Sequence, residues 1–309
     1  MHGSSGRAVS LRTGSAYWIQ HLPEWYPARA MPLKQLGDRP AWTEERLFFE
    51  SDGRPLYGVG CSAERPGTSV AIFCNCFSEN HCEGRAELIA ARIIAANGHS
   101  AFLYHPRGHG DSTGDLEDVT FEGLIDDAVN AADYARSRFG ASRIVWVGVR
   151  FGAIVAAEAI RRIADTAALA LWEPALNARD YFLKAMRHVI YSEMAHGEQP
   201  PRTVEQINER MKREGKISLL AFDLYRKFIE SAQEEDLLNA LQPWRGPTLI
   251  AQFQKHSRLS RAHKHLRETL VERGLSVRTV LHGGSDGIDP WWMPEEVARQ
   301  TGEWLDELA

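Results

Sequence analysis

The chain has 309 residues, 44% of them hydrophobic, which suits one large α/β domain with an inserted subdomain better than two separate domains. Its 36 basic and 41 acidic residues are spread along the chain and leave a formal net charge of −5, so neither nucleic acid nor an anionic membrane is expected as a partner. No apolar run reaches the roughly 18 residues of a membrane-spanning helix, and the opening Met1-His2-Gly3-Ser4-Ser5-Gly6 lacks the apolar stretch of a signal peptide; a cytoplasmic protein is expected.

Residues 1–42 carry scattered aromatics and prolines (Trp18, Pro23, Trp25, Tyr26, Pro27, Pro32) without periodicity and read as an irregular arm packed on the main body. From Arg46, two apolar segments around Ser51-Asp52-Gly53-Arg54 predict a hairpin with an Asp-Gly turn. The four cysteines, Cys61, Cys74, Cys76 and Cys82, crowd into one region of a long chain, which points to reduced thiols rather than a disulfide framework. Cys74-x-Cys76 with His81-Cys82 lacks the knuckle spacing of a zinc site, so no metal is expected.

Strict alternation follows. Residues 69–74 form an apolar run of the doubly buried kind, and a helix over 85–96 ends at Asn97-Gly98. Next come a strand at 101–104, a glycine-rich loop at 105–115, a helix over 121–139, a strand at 143–147, an alanine-rich helix over 153–163 and a strand at 167–172. Residues 175–241 turn amphipathic with helical periodicity, too long a stretch for a bare loop, and predict a helical cap. The alternation resumes with a strand at 247–251, a helix over 261–273, a strand at 276–281 and a last helix over 294–308. Segments 43–174 and 242–309 thus form one α/β core, an eight-stranded and mostly parallel sheet with helices on both faces and its site at the strands' carboxyl ends. No Walker sequence or dinucleotide fingerprint appears, and no cofactor is implied.

The order of these parts carries a resemblance. His105-Pro106-Arg107-Gly108-His109-Gly110-Asp111-Ser112-Thr113-Gly114 follows the fourth strand, and Gly148-Val149-Arg150-Phe151-Gly152 links the fifth strand to its helix. Over residues 45–308 the chain resembles the α/β-hydrolase superfamily. Within it, Asn75-Cys76-Phe77-Ser78-Glu79, the 148–152 turn, Leu171-Trp172-Glu173-Pro174 and Pro290-Trp291-Trp292 look most like the serine-aminopeptidase-like branch and bacterial hydrolases associated with exosortase systems. The resemblance implies a nucleophile elbow at 148–152, with an oxyanion hole from the backbone N–H of Phe151 and the loop from Asn75 to Ser78, which carries Cys76, Phe77 and Ser78.

At the centre of that elbow stands Arg150, where the family has serine, cysteine or aspartate. A guanidinium stays charged, offers five donors and no acceptor, and can neither attack a carbonyl nor act as a base. The resemblance also implies an acid after the seventh strand, where Gln252-Phe253-Gln254-Lys255 has none, or at the end of the sixth, where Glu173 stands. The loop expected to carry the histidine, 283–294, contains none, and His282 lies several residues early; a strand-end histidine held by backbone is the competing reading. Either Arg150 and Glu173 form an internal ion pair, or Arg150 and the following helix N-terminus hold a carboxylate or phosphate. Cys76 or Ser78 as a displaced nucleophile is the weaker option, because no base is visibly placed for either. Trp172, Trp291, Trp292, Phe77 and Phe151 either ring an apolar cleft or pack the cap.

The expected function is a non-classical hydrolase or acyl-transfer-type enzyme acting on a small anionic or acyl substrate, with Arg150, Glu173 and His282 as the candidate catalytic groups. The alternatives are a catalytically inactive binding protein on the same scaffold, or an interaction protein using its cap or aromatic arm; a homodimer stays open.

Overall fold

The computed structural model describes residues 42–64, 67–75, 83–195, 202–219, 222–253, 258–282 and 295–308. The arm at 1–41 lies outside these residues, apart from its last predicted position, Trp42, which opens the first strand.

Strands β1 (Trp42–Ser51) and β2 (Arg54–Ala63) form the predicted hairpin. Its two-residue loop has both members at positive φ, Asp52 at 50° and Gly53 at 73°, the left-handed pair whose twist suits a tight hairpin. Beyond it run β3 (Ser69–Cys74), helix α1 (Glu83–Ala96), β4 (Ser100–Tyr104), helix α2 (Phe121–Phe139), β5 (Arg143–Val149), helix α3 (Gly152–Ile160) and β6 (Thr166–Trp172). After the cap come β9 (Thr248–Gln252), α8 (Arg261–Glu272), β10 (Val277–Leu281) and α9 (Glu295–Leu308). The eight strands lie in the order β1-β2-β4-β3-β5-β6-β9-β10, antiparallel where β2 meets its two neighbours and parallel elsewhere. This is the eight-stranded, mostly parallel sheet expected. Its inner strands are nearly continuous runs of buried residues because helices cover both faces.

The cap differs from a purely helical one. Between α4 (Ala178–Ala195) and α5 (Val204–Glu214) on one side, and α6 (Arg226–Ala232) and α7 (Leu237–Ala240) on the other, it carries a hairpin of β7 (Lys216–Leu219) and β8 (Phe222–Tyr225). Gly215 ends α5 at φ +75° and turns the chain into β7. Four-residue strands are too short to display a period of two, so a helical reading of their apolar residues was the natural one. The cap's entry and exit are stitched together: Ala178 N–H donates to Glu235 O at 2.9 Å and Leu237 N–H to Leu176 O at 2.8 Å.

The loop after β4 is held by a buried ion pair. Asp127 of α2 is fully buried and takes Arg107 through its backbone N–H at 2.8 Å, Nε at 2.9 Å and Nη2 at 2.7 Å, while Ser51 Oγ donates to it at 2.7 Å. Hydrogen bonding to Asp127 is the main cause that raises the guanidinium's proton affinity. Arg107 is therefore a structural clamp, and His105, whose proton affinity burial lowers, accepts the Asp111 N–H at 3.2 Å within the same turn.

Three consequences can be measured. Asp127→Ala removes the buried acceptor of Arg107 and leaves the guanidinium its surface partner Asp52, at 2.9 Å, and chemical denaturation should show a loss of about 1–3 kcal/mol. At Gly53 a methyl meets nothing within 4 Å, so Gly53→Ala should cost only the roughly 1–2 kcal/mol of the left-handed backbone. A Cβ on Gly152 falls 2.0 Å from Cys74 O and 2.5 Å from Asn75 O, and Gly152→Ala should fail to yield a cooperatively folded protein.

Candidate functional site

The carboxyl ends of β5, β6, β9 and β10 form a row, since Val149 pairs with Trp172, Trp172 with Ala251 and Gln252 with Leu281. The residues just past those ends are Arg150, Glu173, Phe253 and His282. The first two share a rare backbone state: Arg150 has φ +50° and Glu173 φ +46°. A left-handed non-glycine residue costs roughly 1–3 kcal/mol and persists only where its surroundings over-determine it. Here they do. Arg150 N–H donates to Trp172 O at 2.9 Å, while Arg150 O accepts Ala153 N–H at 3.1 Å and Ala175 N–H at 3.0 Å. Glu173 N–H donates to Ala251 O at 2.8 Å, and its Oε2 accepts Phe253 N–H at 2.7 Å.

The two glycines of Gly148-Val149-Arg150-Phe151-Gly152 explain the tightness of the turn. A Cβ at Gly148 would stand 2.5 Å from Ala153 Cα, and Gly152 lies against the β3 backbone. The strand thus reverses directly into α3 and lifts residue 150 above the helix's opening turn, whose N–H groups have no partners within their own helix. The geometry of a nucleophile elbow is present, with arginine at its apex.

The remaining predicted residues fall into separate places. Phe151 is fully buried, its ring 5.2 Å from Tyr181, 5.6 Å from Phe228, 5.9 Å from Phe182 and 6.1 Å from Phe121. Of the two readings offered for it, its side chain packs the cap onto the core. Trp172 is also fully buried, edge-on to Phe73 at 5.6 Å, and its indole N–H finds no acceptor among the described residues. His282 lies past β10, three strands from Arg150, or about 14 Å at a strand spacing of about 4.8 Å. Its N–H donates to Gln252 O at 3.0 Å. Cys76, Phe77, Ser78, Trp291 and Trp292 lie outside the described residues.

Three further groups approach the row: Cys74 and His263, which were not anticipated as site residues, and Asn75, which opens the loop that the resemblance assigns to the oxyanion hole. Cys74 at the end of β3 is fully buried 3.8 Å from Tyr104 Oη, and burial pushes its thiol up to about 12, so it is no thiolate nucleophile at neutral pH. Asn75 donates from Nδ2 to Tyr104 O at 3.1 Å, while its buried Oδ1 has no hydrogen-bond partner among the described residues. His263 of α8 contacts Gln252 and Pro174 with its two ring nitrogens. The signal for His263 lay in the apolar stripe of its helix, with Leu266 and Leu270.

Cys61 resembles Cys74: it too is buried, with a thiol pushed up to about 12 mainly by burial. Alkylation of the native protein near neutral pH, followed by peptide mass mapping, should leave Cys61 and Cys74 unmodified until denaturant is added.

Comparison with known proteins agrees with this geometry. Residues 77–217 match the family described as serine aminopeptidase, S33. No curated protein sequence gives a significant match. Among solved structures, Est1E from Butyrivibrio proteoclasticus with bound ferulic acid superposes with a TM-score of 0.63 at 16% identity, over 85% of this chain and 98% of that one. The Pyrococcus furiosus esterase Pf2001 gives 0.58 at 12% identity, over 93% and 95% of the two chains. Mouse alpha/beta hydrolase domain-containing protein 10 gives 0.57 at 16% identity, over 86% and 100%. No helix among the described residues is long and apolar enough to cross a membrane. Strand order, elbow geometry and the similar solved structures show that the chain has the α/β-hydrolase fold, and its residues 77–217 are similar to the serine aminopeptidases.

Proposed function

We propose that this chain is a non-classical α/β-hydrolase that takes a small acyl or carboxylate-bearing substrate at its elbow, with Arg150 as the group that holds the substrate's negative charge. The observation that carries this reading is the left-handed backbone of Arg150 at the apex of an intact elbow, a turn that Gly148 and Gly152 make tight and that lifts residue 150 above the start of α3. A guanidinium there, beside the opening turn of α3, supplies donors to an oxyanion or carboxylate. It cannot form an acyl-enzyme. The chemistry then rests on water, with Glu173 as the neighbouring carboxylate able to accept its proton. His282 is three strands away and belongs to the periphery of this scheme. Ferulic acid bound to the similar Est1E is a carboxylate of the proposed class, which guides the choice of ligands by analogy.

A second reading, a binding protein on the hydrolase scaffold, is favoured by one specific observation. Cys74 is held as a thiol and His263 has both ring nitrogens engaged, so neither supplies a nucleophile or base at the row.

One experiment separates the two. Wild type and Arg150→Ala are assayed on a panel of esters, thioesters and lactones, and titrated calorimetrically with aryl and alkyl carboxylates. The enzyme reading expects turnover that Arg150→Ala lowers by about 10²–10³-fold, the usual effect of removing an oxyanion donor. Carboxylate binding lost in Arg150→Ala without any turnover establishes the binding protein instead. Turnover and binding both indifferent to Arg150→Ala overturn the elbow as the site.

A further inference from the structure

Behind the ends of β6 and β9 lies a buried polar cluster centred on His263, whose side of α8 faces the sheet with the residue 6% exposed. Its Nδ1 is 3.0 Å from Gln252 Oε1 and its Nε2 is 3.1 Å from Pro174 O. The Gln252 amide has a determined orientation. Oε1 accepts the Ser260 N–H at 2.6 Å and Nε2 donates to Arg258 O at 3.1 Å, so turning the amide over would set donor against donor and acceptor against acceptor.

Both atoms that face the ring are therefore acceptors and nothing else. A neutral imidazole has one N–H and satisfies one of them; only the imidazolium, with two, satisfies both. We infer that His263 is a proton-operated latch: protonated, it bridges Gln252 and Pro174, and on losing a proton it releases one of the two.

The latch acts on the candidate site through its neighbours in sequence. Pro174 follows Glu173, and Gln252 precedes Phe253, whose N–H holds the Glu173 carboxylate. His263 thus ties together the two chain segments that set where Glu173 stands, and it is a positioning residue for that carboxylate. Its bearing on substrate rests on the function proposed above, whereas the latch itself does not. Among the described residues, the titratable and charged groups on the adjoining segments are Glu173 past β6, Arg258 in the loop before α8 and His282 past β10. On its own helix Lys264, His265 and Arg267 point to solvent.

The test uses the full chain with selectively ¹⁵N-labelled histidine, followed by long-range ¹H–¹⁵N spectra between about pH 5 and 8, the window in which histidine changes charge. At the acidic end both His263 ring nitrogens should be protonated, and raising the pH should remove one proton while the Phe253 amide shifts with the same midpoint. His263→Gln keeps amide donors that do not titrate, and in it the Phe253 amide should lose that midpoint. A single neutral tautomer across the whole range overturns the latch, as does a Phe253 titration unchanged in His263→Gln. The wild-type spectra decide the matter alone if the variant does not fold. Carboxylate affinity measured across the same range separates the two claims: a latch that titrates while affinity stays flat leaves the latch standing and removes its link to the proposed site.

Discussion

Everything at the carboxyl edge depends on the approach of α3 to β3 at Gly152. With a hydrogen in place of a side chain, residue 152 sits where a Cβ would lie 2.0 Å from Cys74 O, so the helix begins almost in contact with the neighbouring strand. That closeness leaves no room for a relaxed connection, and the chain passes through the left-handed region at Arg150. The hydrogen bonds to Trp172 and from Ala175 then bind the turn to the end of β6, where the second left-handed residue, Glu173, begins the way into the cap.

Around this turn the molecule uses different materials for different tasks. Phe151 turns away from the row into an aromatic group drawn from α2, α4 and α6, and edge-to-face and tilted pairs of this kind contribute about 0.5–1.5 kcal/mol each beyond their burial. On the β4 side, the loop that resembles the family's turn is clamped by Arg107 and Asp127, a pair whose buried carboxylate accepts four donors and so leaves little unsatisfied. Apolar packing holds the cap, and charge-assisted bonds hold the loop.

In the function proposed above, an arginine in the nucleophile's place changes the electrostatics of the elbow more than its shape. The elbow still lifts its central residue above a helix start, but a permanent cation now occupies a place where a hydroxyl would be neutral. A site of that sign favours ligands with developing or full negative charge, and a carboxylate on the adjacent strand limits how much net charge the row must carry. In that proposal Glu173, with the Phe253 N–H that holds it, bears on the site with or without turnover.

The alternation of strands and helices, the hairpin at Asp52-Gly53 and the Gly-x-x-x-Gly turn were all legible in residue order, because each depends on local periodicity or on backbone freedom within a few residues. The arginine at the elbow was legible for the same reason. The hairpin inside the cap was not, since its strands are shorter than any period they could display. Nor could residue order show that Phe151 is committed to the cap, that His282 stands three strands from the elbow, or that His263 meets two acceptors from segments 11 and 89 residues away. By itself the sequence determined the fold class and the chemical identity of the elbow; the tertiary structure alone decided which polar atoms share a neighbourhood. That division is physical: propensity and periodicity are properties of neighbouring residues, whereas the hydrogen-bond partners of a buried group come from chain segments that meet only when the sheet is assembled.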